Sequence, residues 1–282
     1  MKINVCLLQP SGYIHSMALL EAAEYIHYKC MAIGHQSELA INKYGKDNLN
    51  IIFGAHISPA NTPEFPKNTV IFNTEQLPEN STWNNQAYKD MLLKHYVWDY
   101  SSANLSLIGH TNKSLIEFYY EKKLLRINPA QDKKIDLLFY GSLNDRRIQI
   151  LNALEKKGIF VKVAANLYGT KRDALMSQSL AVLNLHYYDS QIFQQIRCFY
   201  PLINNVPVIS EDYPHSSAPD IYSEAIFTPK SEDLVNYIYH LFENRTRFNA
   251  EAKSKLDAFQ SVEYEDIFKF NFDQTLIALE LL

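Results

Sequence analysis

Two adjacent arginines stand where a helix should begin. In residues 137–147, LLFYGSLNDRR, an apolar strand runs into Gly141 and Ser142, Asn144 is placed to cap a helix, and Arg146 and Arg147 fall in its first turn. A helix start already carries partial positive charge, so cations there are mildly unfavourable unless an anion compensates them. First-turn N–H groups and forked guanidinium donors together suit a phosphate. The plain alternative is a surface pair bonded to Asp145 or a nearby glutamate. That alternative weakens beside residues 180–212, LAVLNLHYYDSQIFQQIRCFYPLINNVPVISED. A strand there delivers Asn184 and His186 to its end, the next helix carries Arg197, and the strand VPVIS runs into Glu211. Asn184 and His186 share a face by the strand period of two. In a parallel sheet all these residues converge with Gly141 and Ser142 on the carboxyl edge, where ligands bind.

The elements that must position them alternate between strand-like and helix-like, the pattern of parallel sheets covered by helices. In the first half, strands are expected at 2–8, 37–41, 49–53, 69–73 and 96–100, with helices at 16–31, 84–95 and one opening near Ser101. The proline-rich HISPANTPEFPKN (56–68) reads as a loop, and LLRINPAQDKK (124–134) as a linker. The alternation then restarts: strand 135–140, helix 145–157 stopped by Gly158, strand 159–164, a helix near 171–179, strand 180–185, helix 191–203 and strand 206–210. A mostly helical tail ends in the amphipathic YEDIFKFNFDQTLIALELL. The expected fold is α/β, with a Rossmann-like half at 1–128, a second at 129–262, and a C-terminal helix at 263–282 packing back on the first half.

Hydrophobic residues make up 47% and charged residues 21% of the 282, as in soluble globular chains. A net charge of −4 offers no basic face, so no nucleic-acid partner is expected and local positive charge needs a local cause. Cys6, Cys30 and Cys198 are odd in number and far apart, which fits reduced, buried thiols and a cytoplasmic setting. Neither a signal peptide nor an apolar run of about 20 residues is read, so no membrane span is expected. The Asn-x-Ser/Thr triplets at Asn80, Asn104, Asn112 and Asn244 are then chance matches. Dinucleotide, P-loop, GxSxG and HExxH fingerprints are missing. Without an Asp-x-Asp pair, a metal-bridged diphosphate has no obvious ligands, so no metal is expected. Any phosphate would rest on helix ends and arginines.

The stretch 135–212 resembles the nucleotide-sugar-binding domain of GT-B glycosyltransferases, whose C-terminal domains include those of glycosyltransferase families 1 and 4, and above all a compact bacterial and phage group. Such domains run strand-Gly-Ser, arginine on the next helix, then a block like this chain's LNLHYY…VPVISE. VIFNTEQL (70–77) and YVWDYSSANL (96–105) are similar to the same group, so the likeness covers about half the chain. Two positions depart from it. Gln194 stands where the group carries glutamate, and Tyr200 where a second glutamate normally holds the donor ribose.

The resemblance implies two facing Rossmann-like domains and transfer of a sugar from a UDP- or GDP-linked donor to a glycan, lipid-linked or other hydroxyl-bearing acceptor. It implies a departing diphosphate stabilised by cations and a helix start rather than by a metal. Arg146 and Arg197 would hold that diphosphate, with Arg147 in reserve, beside the Gly141-Ser142 turn. Asn184, His186 and Glu211 are the candidate donor contacts. An inverting enzyme needs a base for the acceptor hydroxyl. Asp99, Glu75 and His15 are the candidates, although Asp99 could equally cap the helix near Ser101. A retaining enzyme needs none, and the stereochemistry stays open. So do the oligomeric state and peripheral membrane contact through a lipid-linked acceptor. Two other readings stand beside transfer: a non-catalytic nucleotide- or glycan-binding protein, which Gln194 and Tyr200 favour, and a UDP-sugar epimerase-like enzyme.

Overall fold

The computed structural model describes residues 1–58, 64–78, 81–212 and 220–282. Asn80 and the middle of the proline-rich stretch, 59–63, lie outside them.

The first half builds a six-stranded parallel sheet from β1 (Lys2–Leu7), β2 (Gln36–Ile41), β3 (Leu49–Phe53), β4 (Thr69–Asn73), β5 (Tyr96–Asp99) and β6 (Lys113–Leu115), ordered β2-β1-β3-β4-β5-β6. Every residue of β3, β4 and β5 is buried, as expected of parallel strands covered on both faces. β2 alternates between partly buried and exposed positions because it forms an edge. Three helices accompany the sheet: α1 (Leu20–Ala32), α2 (Gln86–Lys94) and α3 (Ser102–Ser106). Helix 16–31 opens instead as a 3₁₀ turn over Ile14–Leu19. Asn85 caps α2, accepting from the Tyr88 N–H at 3.0 Å, and Ser101 caps α3. The three-residue β6 was not expected from the sequence; it is too short to show a period.

The second half forms a four-stranded parallel sheet of β7 (Ile135–Phe139), β8 (Val161–Val163), β9 (Ser179–Asn184) and β10 (Val208–Ser210), ordered β10-β9-β7-β8. Its helices are α4 (Asp145–Lys156), α5 (Gly169–Ser177), α6 (Gln195–Ile203), α7 (Asp220–Ala225), α8 (Leu234–Glu243) and α9 (Arg245–Gln260). Leu137, Phe139, Leu151, Leu183, Ile209, Phe227 and Phe248 share one buried core. Burial of each such side chain contributes about 1.5–3 kcal/mol, so this core fixes the strand ends that carry the site. Helix 191–203 starts later than its sequence suggests, at Gln195. Strand 159–164 shrinks to Val161–Val163.

The chain divides into two compact units, Met1–Phe118 with Glu263–Leu282, and Tyr119–Val262. The division thus falls ahead of the expected 128. Asn204 explains why: its Oδ1 accepts from the N–H groups of Arg126 and Ile127 at 2.8 Å each, and its Nδ2 donates to the Leu124 carbonyl at 3.1 Å. These bonds tie the expected linker to α6. The last helix, α10 (Glu265–Ala278), belongs to the first unit, where Trp98 Nε1 donates to Thr275 Oγ1 at 2.9 Å.

Candidate functional site

The carboxyl edge of the second sheet gathers the residues that the sequence placed there. Gly141 follows β7 with φ +134°, and the guanidinium of Arg197 lies against it, so a Cβ would collide with that group. The positive φ calls for glycine, and a Cβ would also displace the Arg197 guanidinium. Arg197 Nη1 donates to the Tyr140 carbonyl at 2.8 Å, and the Tyr140 hydroxyl donates to the Arg197 carbonyl at 2.7 Å. Asn144 begins α4, its Oδ1 accepting from the Arg147 N–H at 2.9 Å.

Arg146 and Arg147 then part company. Arg147 is fully buried and donates to the carbonyls of Ser142 at 2.6 Å, His186 at 3.2 Å and Leu185. Its guanidinium also lies 5.4 Å from the Phe139 ring centroid and 5.0 Å from that of Tyr187. Arg147 therefore staples the turn after β7 to the end of β9. Burial, then the charges of Arg197 and Arg146, pull its pKa down to about 9, which still leaves it protonated at neutral pH. Arg146 keeps its side chain 42% exposed and forks onto Glu211, with Nη1 3.0 Å from Oε1 and Nη2 bonded to Oε2. That pairing raises the Arg146 pKa.

Glu211 is fully buried and also accepts from the His186 N–H at 2.6 Å and the Ser231 hydroxyl at 3.3 Å. His186 Nε2 contacts the Asp212 carbonyl at 2.8 Å, and Asn184 Nδ2 donates to Ser210 Oγ at 3.0 Å. Gly141, Ser142, Arg146, Arg147, Asn184, His186, Arg197 and Glu211 are thus joined through one edge.

The two departing residues have definite places. Tyr200 accepts from Arg126 Nε at 2.8 Å and donates to Asp173 Oδ2 at 2.8 Å. Its ring lies between the guanidiniums of Arg126 at 5.2 Å and Arg172 at 4.8 Å. Arg172 is only 4% exposed, whereas Lys171 beside it faces solvent. Gln194 directly precedes α6 without a side-chain capping bond.

The first sheet's edge is organised differently. Asp99 is fully buried and accepts from the Ser101 N–H at 2.7 Å, from Asn73 Nδ2 and, at 3.4 Å, from Asn104 Nδ2. Burial outweighs these donors and raises its pKa to about 8. This is the geometry of a carboxylate fixing two turns, with no surface open to an acceptor. Asn73 and Asn104 each donate to the Glu75 carbonyl at 2.9 Å, which sets where Glu75 stands. The Glu75 side chain, 21% exposed, reaches His56 Nε2 at 3.2 Å. Burial lowers the His56 pKa to about 4, so the imidazole in this contact is neutral at pH 7. His15 is exposed, with its ring 5.1 Å from that of Tyr13, edge to face.

Comparison with solved structures decides the architecture. The chain superimposes over 98% of its length on 99% of an alpha-glucosyltransferase solved with UDP and a 13-mer DNA containing an A:G mismatch, with TM-score 0.59 and 9% identity. Anabaena Alr3699/HepE, in complex with UDP and glucose, gives TM-score 0.59 at 11% identity over 98% of this chain and 99% of that one. AviGT4, a glycosyltransferase of avilamycin A biosynthesis, gives 0.57 at 12% identity over 99% and 98%. The chain has the GT-B fold.

No family model matches the GT-B chain. In sequence, an uncharacterised protein of Acanthamoeba polyphaga mimivirus is 35% identical over 179 residues, 60% of this chain and 61% of that protein. A second from the same virus is 28% identical over 174 residues, 58% of this chain and 23% of its own length. The chain therefore spans less than two thirds of these relatives. Within the GT-B frame, sequence reasoning missed His56, Asn73, Asn104 and Arg172. The signal for the first two was position alone: each stands at or just past the end of an apolar strand.

Proposed function

We propose that this chain is a glycosyltransferase that moves a sugar from a nucleotide-sugar donor to a hydroxyl-bearing acceptor. One observation carries the reading. Three guanidiniums gather at the carboxyl edge of a parallel sheet, those of Arg146 and Arg147 from the first turn of α4 and that of Arg197 against Gly141, with Glu211 paired to Arg146. Such a cluster is stabilised by an anion of more than one charge, and a diphosphate satisfies it. Arg147 braces the turn from below. Arg146 and Arg197 stabilise charge on the departing nucleoside diphosphate, which is where electrostatic catalysis acts in this chemistry. No metal is needed for that role.

On its own unit, Glu75 is the best placed carboxylate to accept the acceptor's proton in an inverting displacement. It is partly exposed, its backbone is pinned, and His56 steadies its side chain. A second reading, binding without turnover, is favoured by Tyr200. Its hydroxyl is committed to Arg126 and Asp173, and its own side chain supplies no carboxylate for a ribose.

Thermal shift against UDP, GDP, CMP, ADP and dTDP, each with and without EDTA, tests the proposal. One nucleotide should stabilise the protein whether or not EDTA is present. No shift with any of them would return the arginines to a purely structural role. Stabilisation without sugar release from the matching nucleotide sugar, with or without acceptor glycans, would select the binding protein instead.

A further inference from the structure

Two buried acceptor atoms at the donor edge lack a partner among the described residues, and their hydrogen-bond neighbours fix what they are. Ser210 donates its one hydroxyl proton to the Glu211 carbonyl at 3.0 Å. Asn184 must therefore present its NH₂ to Ser210 Oγ, which leaves Oδ1 as the free end. That Oδ1 is buried and unpartnered among the described residues, on a side chain only 1% exposed. His186 obeys the same logic. Its Nε2 faces the Asp212 carbonyl, which can only accept, so Nε2 carries the proton. In the neutral ring Nδ1 is then a bare lone pair. It too is buried and unpartnered, on a residue 3% exposed.

Buried acceptors are almost always satisfied, and an unsatisfied one is costly. These two stand two residues apart where β9 ends. Both belong to the network of Arg146 and Glu211, through the His186 and Asn184 backbones. Building on the reading given under Proposed function, we infer that Asn184 Oδ1 and His186 Nδ1 accept hydrogen bonds from two hydroxyls of the donor's sugar, and so select the sugar rather than the nucleotide. Neither atom can donate, so the matching ligand groups must. Ring hydroxyls do; a phosphate oxygen does not. Arginines hold the anionic part of the donor and bare acceptors read its hydroxylated part.

Calorimetry separates the two roles. UDP, GDP, UDP-glucose, UDP-N-acetylglucosamine and GDP-mannose are titrated into the wild type and into Asn184→Leu and His186→Phe, with urea unfolding of each variant as the check on folding. One nucleotide sugar should bind about tenfold or more tighter than its parent nucleotide in the wild type, as expected for buried polar groups that would otherwise stay unpaired. Each variant should lose most of that margin and keep its affinity for the parent nucleotide. Monodeoxyfluoro analogues of the best sugar sharpen the test, since fluorine cannot donate. Two substituted positions should each lose affinity in the wild type, and one of these should lose nothing further in each variant. A sugar margin that survives both substitutions, or no margin for any of the three sugars while a nucleotide binds, overturns the inference alone. No nucleotide binding at all overturns the functional reading with it.

Discussion

The two sheet edges use carboxamides in opposite ways. At the first, Asn73 and Asn104 spend both ends of their side chains inside the protein. Asn73 accepts from Tyr88 and Glu75 and donates to Asp99 and Glu75, while Asn104 accepts from Leu77 and donates to Glu75 and Asp99. At the second, Asn184 spends only its NH₂. A network satisfied within the protein holds a shape; one with buried acceptors left over waits for a ligand. The charges differ as well. The first edge buries the carboxyl group of Asp99 among neutral donors, and the second gathers three guanidiniums, one of them forked onto the buried Glu211.

Four substitutions can break or sharpen this contrast. The largest effect belongs to Arg147→Met. The carbonyls of Ser142 and Leu185 would lose this donor, at about 1–3 kcal/mol each, while that of His186 keeps a bond from Arg146, so the loss in unfolding free energy by urea titration should exceed about 2 kcal/mol. A change under about 1 kcal/mol would show that Arg147 is not the staple of the second edge.

Asp99→Asn comes next, at about 1–3 kcal/mol, because one end of its amide must face a donor. It also carries a pH signature. With a folded pKa raised to about 8, the folded state binds more protons than the unfolded chain across the window up to that value from an unfolded pKa of about 3.9. Wild-type stability should therefore fall as pH rises from 4 to 8, and the variant's profile should be flatter. Parallel profiles would show that Asp99 does not titrate in that window.

Arg146→Lys should cost less. It keeps the charge but loses the fork, so nucleotide affinity should drop by about tenfold with little change in the unfolding midpoint. Unaltered affinity would mean that Glu211 is Arg146's only business. The smallest effect is expected of Tyr200→Phe, about 1 kcal/mol in stability from the lost bridge between Arg126 and Asp173. Nucleotide affinity should stay within about twofold of wild type, and a larger fall would place Tyr200 in the donor site after all.

Much of the second edge was legible in the sequence because its signals are local. A strand, a glycine, a capping asparagine and arginines in the next turn follow one another within a few residues, and strand periodicity carries Asn184 and His186 to the same place. The fate of each arginine was not legible. Consecutive helical residues point in different directions, and only tertiary packing decides that Arg147 goes under Tyr187 while Arg146 meets Glu211. The burial of Arg172 was hidden for the same reason; it depends on Tyr140 and Tyr200, one just past a strand's end and one on another helix. At the first edge, the choice among Asp99, Glu75 and His15 turned on partners from separate loops, which spacing cannot reveal. Asp99 does not cap α3, as its position before Ser101 allowed; Ser101 does, and Asp99 accepts from the Ser101 N–H instead. What spacing could not reveal in 124–134 is the reach of Asn204 back to Leu124–Ile127.

The placement of α10 has a consequence for biosynthesis. Trp98 is buried by a helix that follows the whole second unit in the chain, with Phe268 and Phe272 each 6.0 Å from its ring. A nascent chain therefore makes the six strands of the first sheet long before it makes the helix that seals them.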